Sequence, residues 1–229
     1  MRSTFLILFY FLFHTIARGQ TADSTGKQIV LVNGNPERLY SGIEYIGYDR
    51  RLKVHPFFES DTMQNGAIQA NGQVFALPML YDIVRDEVVL AHPTGYRMAL
   101  FSDRIQSFSF LNHTFVRMAD STKHGLPTGF YDLLYNGPTQ LVARHKKEIL
   151  INPSVSGGYG VFDPKTTYYI KKSGQFYVVK NKRALFNLLE DRKKQLAAFA
   201  RKERLQFKPN MDDAFMKLAK AYDELNQSL

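Results

Sequence analysis

The sequence predicts a mainly β (α+β) protein: an antiparallel β meander, sandwich or curved sheet of about ten strands, followed by a C-terminal α-helical hairpin. Three observations lead there. Residues 29–180 run as short apolar or alternating segments broken by Gly, Pro, Asn and Asp, the pattern of antiparallel strands. No amphipathic helical stretch separates those segments, which argues against a parallel βαβ sheet. From Asn181 onward the apolar residues recur at spacings of three, four and seven, the period of a helix.

Taken in chain order, the first element is a leader. Arg2 precedes an apolar run over 5–16, and Ala17-Arg18-Gly19 then supplies the small residues that a leader peptidase needs. A run of that length rises only about 18 Å as a helix, short of the roughly 30 Å of a bilayer core. Residues 1–19 therefore read as a signal peptide cleaved before Gln20, leaving a mature chain that does not span a membrane. Residues 20–28 are polar and form a flexible lead.

The β domain, 29–180, is punctuated by turn signals. Asn71-Gly72 joins 66–70 to 73–77, and Ser173-Gly174 joins 167–172 to 175–180, both as tight hairpins. Asp86-Glu87 separates 79–84 from 88–91, and His92-Pro93-Thr94-Gly95 separates that strand from 96–101. Strands 105–111 and 114–118 meet at Asn112-His113, and a second block, 130–135, 140–144 and 148–151, leads into the glycine-rich loop 156–160. The hairpin, 181–229, starts at the N-cap Asn181, with Leu185, Leu188, Leu189, Leu196 and Phe199 on one face up to about Arg204. Lys208-Pro209-Asn210 breaks it, and Asp212 or Asp213 opens a second helix carrying Phe215, Leu218, Ala219, Tyr222 and Leu225. Each apolar stripe must be buried, against the other and the sheet or against a partner.

The composition excludes whole classes of chemistry. With no Cys among 229 residues, the chain is not a lipoprotein or a disulfide scaffold, and it has no thiolate nucleophile, Cys-ligated zinc or iron–sulfur cluster. Neither Gly-x-Ser-x-Gly nor a Ser-x-x-Lys set is present, and Ser121-Thr122-Lys123-His124 reads as a polar loop. His55, His92, His113, His124 and His145 show no local zinc-clamp spacing and read as scattered loop and surface residues. Asp82, Asp86, Glu87, Asp132 and Asp163 are available for paired-carboxylate chemistry, but acidic turns between strands are routine. No catalytic residue, metal ligand or cofactor is assigned.

Charge is where the sequence is informative. Removing Arg2 and Arg18 lowers the net charge of +9 to +7, and residues 180–208, with ten Lys and Arg against three acids, carry all of it. The segment reads either as a solvated polar face that aids solubility or as an anion-binding patch, whose candidates are Lys182, Arg183, Arg192, Lys193, Lys194, Arg201, Lys202 and Arg204. For an exported chain the anionic partner is a lipid or polysaccharide surface rather than nucleic acid.

Four stretches together resemble a family of uncharacterised, exported, β-rich proteins of the Gram-negative envelope. They are His55-Pro56-Phe57-Phe58; Gly66-x-Ile68; the run from Leu77-Pro78-Met79-Leu80-Tyr81-Asp82 through Val89; and the basic helical hairpin from about Leu185. The resemblance implies export, to the periplasm or beyond, and a β domain with a helical tail, and it carries no activity or site. The expected function is a non-enzymatic envelope protein that binds or scaffolds a partner protein or an anionic surface through its basic helix. The alternative is a periplasmic hydrolase whose carboxylates and His converge from distant loops.

Overall fold

The computed structural model describes residues 39–119, 125–151, 160–208 and 210–227. The leader, the lead and the start of the β region, the loop 121–124, Pro209 and most of the glycine-rich loop lie outside them. Among the described residues, eleven strands form one antiparallel sheet in the order β1-β5-β4-β3-β2-β6-β7-β8-β9-β10-β11. In chain order they are β1 (Gly42–Glu44), β2 (Gln64–Ala70), β3 (Gln73–Asp82), β4 (Glu87–Ala91), β5 (Arg97–Leu100), β6 (Ile105–Phe110), β7 (His113–Met118), β8 (Gly129–Tyr135), β9 (Leu141–Ile151), β10 (Gly160–Lys172) and β11 (Gln175–Val179). Three helices follow: α1 (Lys182–Leu188), α2 (Lys193–Lys202) and α3 (Met211–Gln227). No described helix is long and apolar enough to cross a membrane.

Tight turns set the registers. Asn71 and Gly72 (φ 50° and 73°), Leu111 and Asn112 (50° and 63°) and Ser173 and Gly174 (51° and 82°) all adopt the left-handed conformation of two-residue hairpin turns, whose twist matches that of the strands they join. Two prolines lie inside strands, because each sits where a neighbouring ladder is absent. Pairing of β3 with β4 starts only at Met79, just beyond Pro78. Pairing of β10 with β11 starts only at Tyr168, leaving Pro164 on an open edge. The segments 73–77 and 79–84 therefore merge into β3, and 140–144 and 148–151, with His145 to Lys147 between them, merge into β9.

The sheet is strongly rolled. Strands β4, β3 and β2 lie between β5 and β6, so a flat sheet would hold β5 and β6 about 19 Å apart. The chain crosses from Leu100 to Ile105 through a single 3-10 turn, Ser102–Arg104, and five residue steps reach at most about 17 Å even when extended. The roll encloses an aromatic core of Phe75, Tyr81, Phe108, Phe110, Phe115 and Phe130, with Phe58 packed against it.

The segment before β2 straps the end of β3. Phe57 pairs with Asp82, the Phe58 amide donates to the Tyr81 carbonyl, and Ile83 donates to Pro56. As in a strand, consecutive side chains take opposite faces. Phe58 enters the aromatic core, while Phe57 joins Tyr45, Leu80 and Val89 on the other side.

The helices cover the β9–β11 end of the sheet. Leu185, Leu189 and Leu196 pack with Phe215, Leu218, Ala219 and Tyr222 over Leu141, Ala143, Tyr168 and Ile170, so the stripes bury each other and the sheet. Asn181 is the N-cap, its Oδ1 accepting from the Ala184 amide. The first helix of the expected hairpin is two helices, broken at Leu189 and a 3-10 turn, Glu190–Arg192. Tertiary contacts hold the break. Lys172 Nζ donates to the Leu188 carbonyl at 2.7 Å and to Asp191 at 2.8 Å, and the Tyr222 hydroxyl donates to Asp191 at 2.9 Å. The cap of α3 is Asn210, whose Oδ1 accepts from the Asp213 amide, rather than an aspartate.

Candidate functional site

The break between α1 and α2 folds the basic segment back on itself and makes a trough. Lys182, Lys193, Arg201 and Arg204 line a cavity of about 460 Å³ whose walls include Phe186, Ala197 and Leu205. A neighbouring cavity of about 510 Å³ shares Lys182, Phe186 and Lys193 and adds Arg183. The structure therefore brings five of the eight expected anion-binding residues to one place. The other three are elsewhere: Arg192 Nε donates to Asn226 Oδ1 at 2.9 Å, and Lys194 and Lys202 are exposed outside the trough. None of the eight is in an ion pair among the described residues. Lys182 Nζ lies over the Phe207 ring at 4.7 Å, and Lys193 Nζ donates to Asn187 Oδ1 at 3.1 Å. Both cations are held at the trough, and neither is in an ion pair among the described residues.

A second constellation lies on the inner face of the sheet, between the aromatic core and the helix-covered end. Asp132 pairs across β8 with Phe115 of β7 and Ala143 of β9, and partners in register share a face. His113 is two residues before Phe115 and His145 two after Ala143, so strand alternation points both imidazoles to the same face as the carboxylate. Their Nδ1 and Nε2 atoms lie 2.6 Å and 3.3 Å from the same Asp132 Oδ2. This corrects the reading of His113 and His145 as scattered; His92 stays in its turn, and His124 lies outside the described residues.

Asp132 is 2% exposed. Burial opposes its ionisation, yet the hydrogen bonds from the two His outweigh it and hold the carboxyl below the usual range. The same bond to Asp132 raises His113 above the ordinary imidazole value, against the effect of burial, with Glu59 adding attraction at 3.7 Å. Phe58 seals the cluster, its ring centroid 4.9 Å from each imidazole.

His145 is the member that reaches β10. Its Nδ1 lies 3.1 Å from Thr166 Oγ1, its cross-strand partner on β10. With hydrogen on Nε2 donating to Asp132, Nδ1 is left to accept the Thr166 hydroxyl proton. Both residues line a cavity of about 250 Å³ together with Phe58, Glu59 and His55, whose buried Nδ1 has no partner among the described residues. Lys147 lines it too, but its Nζ is committed to the His55 and Phe57 carbonyls at 2.8 and 2.7 Å.

Two of the remaining carboxylates are structural, and Glu87 is the first residue of β4, opposite Asp82. Asp82, fully buried, accepts from the Tyr45 and Tyr48 hydroxyls and from the Val84 and Arg85 amides. Asp86 accepts from the Tyr81 hydroxyl at 2.6 Å and faces Arg144. Asp163 pairs with Glu148 across strands. Among the described residues no group of three or more His, Asp and Glu has an arrangement that would hold a metal ion. No family model matches the chain, and neither a curated protein nor a solved structure is significantly similar to it.

Proposed function

We propose that the protein is an exported, non-enzymatic envelope protein that binds an anionic surface through its basic C-terminal segment. The observation that carries this reading is the trough between α1 and α2, where Lys182, Lys193, Arg201 and Arg204 converge with no carboxylate in the lining. Cations clustered without counter-charge raise the local potential, attracting polyanions in a salt-dependent way. The leader read at 1–19 supports the envelope as the place where that surface is met. Replacing Arg192, Lys193, Lys194, Arg201, Lys202 and Arg204 with Gln is expected to leave folding intact and abolish salt-sensitive sedimentation with envelope fractions. Unchanged sedimentation would overturn the reading, and a salt-resistant protein partner would redirect it.

A second reading, a hydrolase, is favoured by one observation: His145 stands between a buried carboxylate and a hydroxyl at the mouth of a cavity. A carboxylate that orients an imidazole, which in turn accepts a hydroxyl proton, is the arrangement of nucleophilic acyl transfer. Purified protein should then hydrolyse activated esters, and His145→Gln and Thr166→Ala should each lower the rate by at least about 100-fold. Hydrolysis at equal rates in both variants would remove the reading.

A further inference from the structure

We infer that the trough between α1 and α2 is a discrete site for the phosphomonoester headgroup of an acidic lipid, with Arg204 as its specificity-determining residue. The inference rests on the reading of the protein as a binder of anionic surfaces and makes it local.

The backbone at Arg204 is the first reason. Its φ is +51°, the left-handed conformation that commonly ends a helix and that favours glycine there. The Leu205 amide donates to the Ala200 carbonyl and the Arg204 amide to that of Arg201, closing α2 around this residue. A side chain with a Cβ is strained at such a position, so glycine there would relieve the backbone. Here the side chain lines the trough, one turn from Arg201, and no hydrogen bond or ion pair to its guanidinium is found among the described residues.

Charge and shape supply the second. Five cations and no acid line the two adjoining cavities, more positive charge than a single negative charge needs for balance. A phosphomonoester carries about −1.5 to −2 near neutral pH, and guanidinium groups grip its oxygens in pairs. The walls between the cations are Phe186, Ala197 and Leu205, so the trough offers apolar surface to the stem that carries the phosphate.

The test is flotation of the full chain with phosphatidylcholine vesicles containing either phosphatidic acid, a monoester, or phosphatidylglycerol, a diester, at equal surface charge. Wild type is expected to favour phosphatidic acid. Arg204→Gly should raise the unfolding midpoint by about 2 °C, by relieving the left-handed strain, yet weaken phosphatidic acid binding about ten-fold. Replacing Lys182, Lys193, Arg201 and Arg204 with Gln should abolish the preference. The same change at the exposed Lys180, Lys194, Lys202 and Lys208 should weaken both vesicle types alike and preserve it. If the two quartets behave identically, or Arg204→Gly binds like wild type, the discrete site is wrong and only diffuse electrostatic binding stands. If wild type binds neither vesicle, the site is wrong and the broader reading loses lipid as its surface, leaving only polysaccharide. Should Arg204→Gly prove destabilised, Arg204→Lys, which keeps charge and strain but loses the fork, decides by the same preference.

Discussion

His113 and Asp132 are nineteen residues apart in the chain, yet His113 Nδ1 and Asp132 Oδ2 lie 2.6 Å apart on the inner face of the sheet. The pair stabilises the fold over a definite pH window. His113 is raised in the folded state, so its contribution is complete below the unfolded value near 6.5 and is lost as pH rises through the raised value. Asp132 is lowered, so its contribution is complete above about 3.8 and is lost as pH falls through the lowered value. Urea midpoints should accordingly drop from pH 6 to pH 8 in wild type, and the drop should shrink in His113→Gln. Two profiles separated by a constant offset would show that the pair is not the source.

Asp82 holds the strap. Its carboxylate accepts from two tyrosine hydroxyls, at 2.8 and 2.9 Å, and from two turn amides, at 2.8 and 3.1 Å. Burial, reinforced by the charge of Asp82, pushes both hydroxyls well above the ordinary tyrosine value, so they remain donors. Asp82→Ala strands all four donors and is expected to cost about 3 kcal/mol, while Tyr45→Phe, which strands none, should cost about 1 kcal/mol. Chemical denaturation checks both, and equal losses would mean that the carboxylate adds nothing beyond Tyr45.

Local chemistry made the hairpins readable: Asn71-Gly72 and Ser173-Gly174 are turn residues by conformation, and strand alternation around them is unambiguous. Pro78 misled, because whether a proline interrupts a strand depends on which neighbouring ladder is present, and no residue nearby encodes that. The break at Leu189 was hidden for a similar reason, since Lys172 and Tyr222, distant in sequence, hold it open. Of the two sites, the trough was legible as charge and illegible as shape. The Asp132 cluster carried one signal, the two-residue offsets of His113 and His145 from Phe115 and Ala143, which means nothing until β7, β8 and β9 are known to be adjacent.

Gly66 sits mid-strand in β2, between β3 and β6, where a side chain would ordinarily be favoured. A methyl there would overlap the Ser109 carbonyl oxygen and crowd Phe110 and Met79. Backbone cannot step aside as a flexible side chain can, so Gly66→Ala is expected to cost about 2 kcal/mol. Thermal unfolding of the variant measures this, and a wild-type midpoint would show that the strands separate easily at this point.

Asp223 ties the last helix to the sheet. It is 4% exposed on α3, and its two oxygens accept from the Thr139 amide at 3.1 and 3.0 Å, across the turn between β8 and β9. Burial and the hydrogen bond to Asp223 push the Tyr135 hydroxyl up to about 12. Gly137 passes so close that a methyl would overlap both the Tyr135 hydroxyl and the Asp223 carboxylate. Asp223→Ala leaves a buried amide without an acceptor and should cost about 2 kcal/mol, while Asp223→Asn keeps one oxygen for Thr139 and should cost less. Because the lost bond joins α3 to β8–β9, the effect should be regional. Amide hydrogens of α3 are expected to exchange faster in Asp223→Ala, with those of β2–β5 little changed. Equal acceleration in both regions would show that sheet and helix unfold as one unit and that Asp223 contributes only to the global stability.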